Sequence, residues 1–194
     1  FVRDLVNTNA DDKTAAVLAE VAKGFEKSYP QIRTTIFDQK RLEQEKMGLL
    51  LAVNRGANQE PCMIISSYQG HPGAKEHVVL VGKGMSYDTG GLNLKPGDGM
   101  LTMKCDMSGA ATVLGAVRTA AALQLKVNVT AVAPIAENSI DGKSYKPGDV
   151  YRSHLGKTVE ITNTDAEGRL ILADAMSYAV QHLHPTCLID VASL

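Results

Sequence analysis

The sequence lacks a charge excess: 20 Lys and Arg stand against 21 Asp and Glu, a formal net charge of -1. Nucleic acids and anionic membranes are gripped by clustered Lys and Arg, so this balance argues against both and suits small neutral or mixed-charge substrates better. Cysteines are few. Cys62, Cys105 and Cys187 form no C-x-x-C pair and leave an odd count, which disfavours a secreted disulfide framework and points to a reducing cytoplasm. No apolar run approaches the ~20 residues a membrane helix requires, and FVRDLVNTNADD holds no apolar core with a cleavage site, so a soluble protein is expected. Internal repeats are absent, as are the H-E-x-x-H pattern of common zinc peptidases, a P-loop, and any G-x-G-x-x-G after a strand.

What is present is 194 residues, 44% of them hydrophobic, enough for one domain with a sizeable core. Strand-like and helix-like segments alternate, which predicts an α/β fold with a central mixed, largely parallel β-sheet flanked by helices on both faces. Helices are expected at Asp11 to Lys27, from Asp38 (as cap) to Lys46 with Gly48 ending it, at Ser108 to Leu123, and at Arg169 to Leu183. Strands are expected at Thr34 to Phe37, Leu49 to Val53, Met63 to Tyr68, His77 to Gly82, Val127 to Pro134 and Cys187 to Val191, with Val159 to Thr162 leading into a polar turn. From Gly82 to Gly99 the glycines are dense enough to predict a long loop, a frequent seat of function.

Three stretches carry chemistry. In VGKGMSYDTGGLNLK a hydrophobic strand delivers Lys83 and Asp88 into a glycine-rich turn, and in MKCDMSGAA Asp106 stands just before a helix. In NTDAEGRL, Asp165 and Glu167 are alternate residues of an extended turn and so share a face. Four carboxylates and a lysine gathered at element ends repel unless a cation sits among them, and hard oxygen ligands suit Mg, Mn or Zn dications. A metal pair sharing a bridging water is the economical reading, with Asp88 and Glu167 as bridges and the water acidified towards hydroxide near neutral pH. Lys83 ligates only as a neutral amine, which requires its pKa to fall from about 10.4. Arg169 cannot deprotonate, so it holds an anion or steadies developing negative charge. Lys95 supplies a second positive group for a reacting carbonyl.

These residues resemble the leucyl aminopeptidase family, the cytosolic di-metal exopeptidases of the M17 type. NTDAEGRL is that family's signature, intact from Asn163 to Leu170. VGKG, YDTGG, LNLK and CDMSGAA follow in the family's order, with weaker similarity through RDLVNTNADD and KPGDV. The resemblance implies hydrolysis of the N-terminal residue, leucine and similar, from peptides with a free N-terminus through a metal-bridging hydroxide. It implies that Lys83, Asp88, Asp106 and Glu167 form the tighter-held part of a two-metal site (Mn or Zn, with Mg an option), and that Asp165 joins Asp88 and Glu167 on the exchangeable ion. Lys95 and Arg169 fall on catalytic positions, with a bicarbonate held near Arg169. It further implies a cytoplasmic homohexamer in full-length form. Residues 1–194 are read as the catalytic core, incomplete at the C-terminal end and without the family's N-terminal domain.

Each feature alone has a plainer reading. A lone D-x-E in a turn is ordinarily a solvated helix start, and a glycine-rich loop is often a phosphate cradle. Only the three stretches together tip the balance. His71, His77, His154, His182 and His184 read as structural or exposed, Asp149, Asp174 and Asp190 have no motif partner, and Glu137 reads as a loop-fixing acid. Met85, Met100, Met103 and Met107 read as core or pocket wall. Two rival functions stand beside the peptidase: a non-catalytic fragment serving assembly or DNA binding, which the charge balance disfavours, and a phosphate-handling transferase.

Overall fold

The computed structural model describes residues 1–194. In chain order the elements are α1 (Val2–Asn7), α2 (Ala15–Lys23), α3 (Phe25–Ser28), β1 (Ile32–Phe37), α4 (Gln39–Gln44), α5 (Gly48–Val53), β2 (Cys62–Gln69), β3 (Val78–Gly82) and β4 (Gly84–Asp88). They continue with α6 (Ser108–Ala122), β5 (Asn128–Asn138), β6 (Val150–Arg152), β7 (Thr158–Glu160), α7 (Glu167–Tyr178) and β8 (Cys187–Val191). The main sheet has the order β1-β2-β5-β3-β8, with β4 also on β5. The pairs β1/β2 and β2/β5 are antiparallel, while β3/β5, β3/β8 and β4/β5 are parallel.

Strand periodicity divides the core in two. Along β5, Val129, Ala131, Ala133 and Ile135 face the layer built on α2 and α6, whereas Val132 and Ala136 face the layer built on α5 and α7. Helices therefore cover both faces, as the alternation of segments predicts. No helix is long and apolar enough to cross a membrane.

Several elements differ from the sequence reading, each for an identifiable reason. The first expected helix is broken: Thr14 caps α2 by accepting from Val17 N at 3.5 Å, and Gly24 divides α2 from α3. Asp38 caps α4 as expected, accepting from Arg41 N at 2.8 Å. Leu49 to Val53, expected as a strand, is the helix α5. Its apolar run has no period to decide the matter, and the decision comes from far along the chain. Asp174, fully buried, accepts from Leu49 N at 2.8 Å and Leu50 N at 3.1 Å through Oδ2, so a carboxylate on α7 caps α5. Gly48 starts this helix instead of ending the previous one, and a Cβ there would lie 2.0 Å from Arg152 O. The long loop expected after Gly82 begins with a strand, β4, which continues along β5 past Lys83.

An Asp174→Ala variant strips these amides of their acceptor, together with His154 N, which bonds Oδ1 at 2.8 Å. It is expected to lose about 2–4 kcal/mol of stability, measured by urea unfolding, while folded molecules keep the wild-type cluster of acids described next.

Candidate metal centre

Lys83 sits between Gly82 and Gly84, at the point where the chain steps from β3 to β4. Its amide donates to Val191 O (3.0 Å) and its carbonyl accepts from Ala110 N (2.8 Å), so both neighbouring elements fix its backbone. That fit needs glycine on each side. A Cβ on Gly82 would meet Gly109 O at 2.5 Å, and one on Gly109 would meet Val191 O at 2.1 Å and Lys83 N at 2.8 Å. Asp88 ends β4, Asp106 lies just before α6, and Glu167 is the first residue of α7. The site thus forms at the carboxyl ends of parallel strands, with the positive ends of two helices beside the acids.

One carboxylate oxygen from each of Asp88, Asp106 and Glu167 lies within 4.8 Å of the other two, and all three residues are buried. The Lys83 ammonium lies 2.8 Å from Asp106 Oδ2, 2.8 Å from Glu167 Oε1 and 2.8 Å from the Ser193 carbonyl, to which it donates. Lys95 bridges the next pair, 2.9 Å from Asp88 Oδ2 and 2.7 Å from Asp165 Oδ1. All five expected ligands line one cavity of about 310 Å³ with Lys95, Met103 and Arg169, the last exposed on its rim. A larger hollow of about 440 Å³ around His77 and Thr130, at the other end of the sheet, gathers no such charges.

Burial governs the protonation of these groups. It would lower Lys83, but Glu167 and Asp106 outweigh it and hold the ammonium above its ordinary pKa. Burial raises Asp106 against the opposing pull of Lys83 and Ser193, and raises Glu167 against the pull of Lys83, with Asp88 adding to the rise. Lys95 is raised likewise, its burial overcome by hydrogen bonds to Asp165 and Asp88.

Four carboxylates against two lysines leave negative charge over. Glu167 Oε2 and Asn138 Oδ1 are buried without a hydrogen-bond partner, and Asp106 Oδ2 and Asp165 Oδ1 are buried with only a lysine ammonium beside each. A set of hard oxygen donors that the protein itself leaves unsatisfied fits divalent cations.

Residues that motif reading passed over hold the loops together. Asn138 Nδ2 donates to Asp88 Oδ1 at 2.8 Å and to Thr164 O at 3.0 Å, joining two of the acid-bearing loops. Thr164 Oγ1 donates to Gly90 O (2.6 Å) and accepts from Asn93 N (2.8 Å), while Tyr145 Oη donates to Thr164 O (2.6 Å). Gly90, at φ 87°, turns the backbone so that its amide donates to Asp88 Oδ1 at 2.9 Å. Lys13, fully buried, donates to the carbonyls of Leu5 (3.0 Å), Val6 (3.2 Å) and Lys104 (2.5 Å), which pins the turn before Asp106. Its one sequence signal was absent, since a lysine in an amphipathic stretch reads as surface. Met85 and Met107 are buried core, and Met103 is pocket wall.

The family model described as "Cytosol aminopeptidase family, catalytic domain" matches residues 1–194. The chain belongs to the cytosol aminopeptidase family. It is 61% identical over 194 residues to a protein of Protochlamydia amoebophila and 56% identical to one of Chlamydia felis, both named "Probable cytosol aminopeptidase". Each comparison covers 100% of this chain and 39% of the relative, so the chain spans well under half the length of these curated aminopeptidases. The crystal structure of cytosol aminopeptidase from Coxiella burnetii is similar over 100% of this chain and 41% of that one, with a TM-score of 0.92 and 41% identity.

Asn138→Ala removes the donor that joins Asp88 to Thr164. Hydrogen bonds to charged groups are worth about 1.5–3 kcal/mol, and a loss of that size is expected in urea unfolding. Asn138→Asp should cost more, since it places a second carboxylate against Asp88.

Proposed function

We propose that this chain is the catalytic core of a two-metal aminopeptidase that removes leucine and similar residues from the free amino end of peptides. The observation that carries the reading is the buried group of Asp88, Asp106 and Glu167, lysine-paired and within 4.8 Å of one another, in a chain of the cytosol aminopeptidase family. Lys83, Asp88, Asp106 and Glu167 would hold one divalent ion, and Asp165 would join Asp88 and Glu167 on the second, with Mn or Zn the fitting metals and Mg an option. Bound there, such ions supply a water acidic enough to attack a carbonyl near neutral pH and an electrophilic anchor for a free amino group.

The chain's own side chains do the rest. Lys83 keeps its proton while only carboxylates surround it, and would hold an ion only as a neutral amine, after giving that proton to solvent. Lys95, partly buried, turns its ammonium from Asp88 and Asp165 towards the scissile carbonyl oxygen and steadies the negative charge that develops there. Arg169, exposed on the rim, would hold an anion such as bicarbonate at the cavity. Met103 and Leu194 give the cavity an apolar wall against which the first side chain of the peptide rests. The working form of the whole protein is a cytoplasmic homo-oligomer, a hexamer by family resemblance.

The test is hydrolysis of a leucyl-anilide by the full-length protein. Glu167→Ala is expected to abolish it, and undiminished activity in that variant would overturn the reading. Lys95→Ala should lower kcat by about 10²–10³-fold, as removal of one oxyanion donor does, with KM little changed. Chelation should remove activity and added Mn restore it.

A further inference from the structure

Away from the acid cluster, Glu45, His154 and His182 meet on the α5 and α7 side of the sheet. Glu45 closes α4, His154 follows β6, and His182 lies in the π turn Ala179–Leu183 that extends α7. Two of them are histidines that motif reading left as structural or exposed, one of them isolated in sequence. In the fold, one ligand atom from each of the three lies within 4.8 Å of the other two.

The imidazoles are held in place by their surroundings. Tyr178 stacks on His182, with ring centroids 4.5 Å apart and planes at 28°, and meets His154 edge-on at 5.9 Å. His154 has its backbone amide on Asp174 Oδ1 at 2.8 Å and its Nδ1 2.7 Å from Ser177 Oγ. Ser177 Oγ can accept from Nδ1, and in that tautomer Nε2 would present a lone pair. This is the outer-shell arrangement that orients metal-ligating histidines. Burial, and then His182, lower the pKa of His154 against the opposing pull of Glu45, which favours the neutral, ligating form. Arg41 pairs with Glu45 Oε1 at 2.5 Å, leaving the other carboxylate oxygen for a further cation.

We propose that Glu45, His154 and His182 form a second, non-catalytic site for a divalent transition metal such as Zn2+. Two imidazoles and one carboxylate are a three-ligand set this metal accepts, with water completing a tetrahedron. Bonds of about 2.1 Å place tetrahedral ligand atoms roughly 3.4 Å apart, so a small inward shift of exposed His182 and of Glu45 completes the site. An ion there ties the end of α4 and the segment after β6 to the end of α7, and adds to stability by closing long loops. Arg41 competes for Glu45, so this site is weaker than the acid-rich one.

The test counts metal on the full-length protein, loaded with Mn2+ and dialysed against buffered Zn2+, by mass spectrometry of total Mn and Zn per chain. Wild type should exceed His182→Ala by one equivalent, and Glu45→Gln, which keeps the shape of the side chain, should show the same deficit. His184→Ala should match wild type, and peptide hydrolysis should stay within about twofold across these variants. Zn2+ should also raise the melting temperature of wild type more than that of His182→Ala. In a Glu167→Gln background the total should fall while the one-equivalent gap persists, which separates this site from the catalytic reading. Equal totals in wild type, His182→Ala and Glu45→Gln would overturn the proposal.

Discussion

Buried carboxylates repel. At the 4.8 Å limit of their separation, two of the charges on Asp88, Asp106 and Glu167 oppose each other by roughly 3–4 kcal/mol at an effective dielectric near 20. The fold answers with two lysines, two helix N-termini and a donor from Asn138, and still leaves Glu167 Oε2 unpartnered. Removing one partner from such a cluster is costly because the opposite charge is then stranded. The arrangement is therefore stable only as a whole, and the glycine contact of α6 on Lys83 and the Thr164 network exist where they keep it whole.

The same constraint bears on Lys83. With only protein charges present, Lys83 is the cation of the site and its ammonium is stabilised by Asp106 and Glu167. On the proposed two-metal reading, a dication would compete for the same oxygens with twice the charge, and Lys83 would ligate it only after yielding its proton to solvent.

Much of the site was legible because its residues lie in three short stretches whose chemistry is local: Lys83 and Asp88 five apart, Asp165 and Glu167 two apart, Asp106 at a helix start. The α/β architecture was legible from alternating segments, and most of the strands fell within a few residues of their expected bounds. What escaped depends on contacts distant in sequence. The helix Gly48–Val53 reads as a strand until Asp174 is seen to cap it. Strand β4 hides in glycines that look like a loop because close packing of α6 demands them. Asn138 belongs to no motif, Thr164 sits within NTDAEGRL without being a ligand candidate, and the importance of both lies in which loops they join. His154 and His182 look unrelated until the end of α7 folds against the segment after β6.

The account stands on a grip for two divalent ions by Asp88, Asp106, Asp165, Glu167 and Lys83. Anomalous scattering from a crystal of the full-length protein soaked in Mn2+ tests it most directly. Two peaks about 3.5–4 Å apart are expected in the cavity, one against Lys83 and Asp106 and the other against Asp165, with Asp88 and Glu167 between them. A cavity without a peak, its lysine pairs intact under saturating Mn2+, would contradict it.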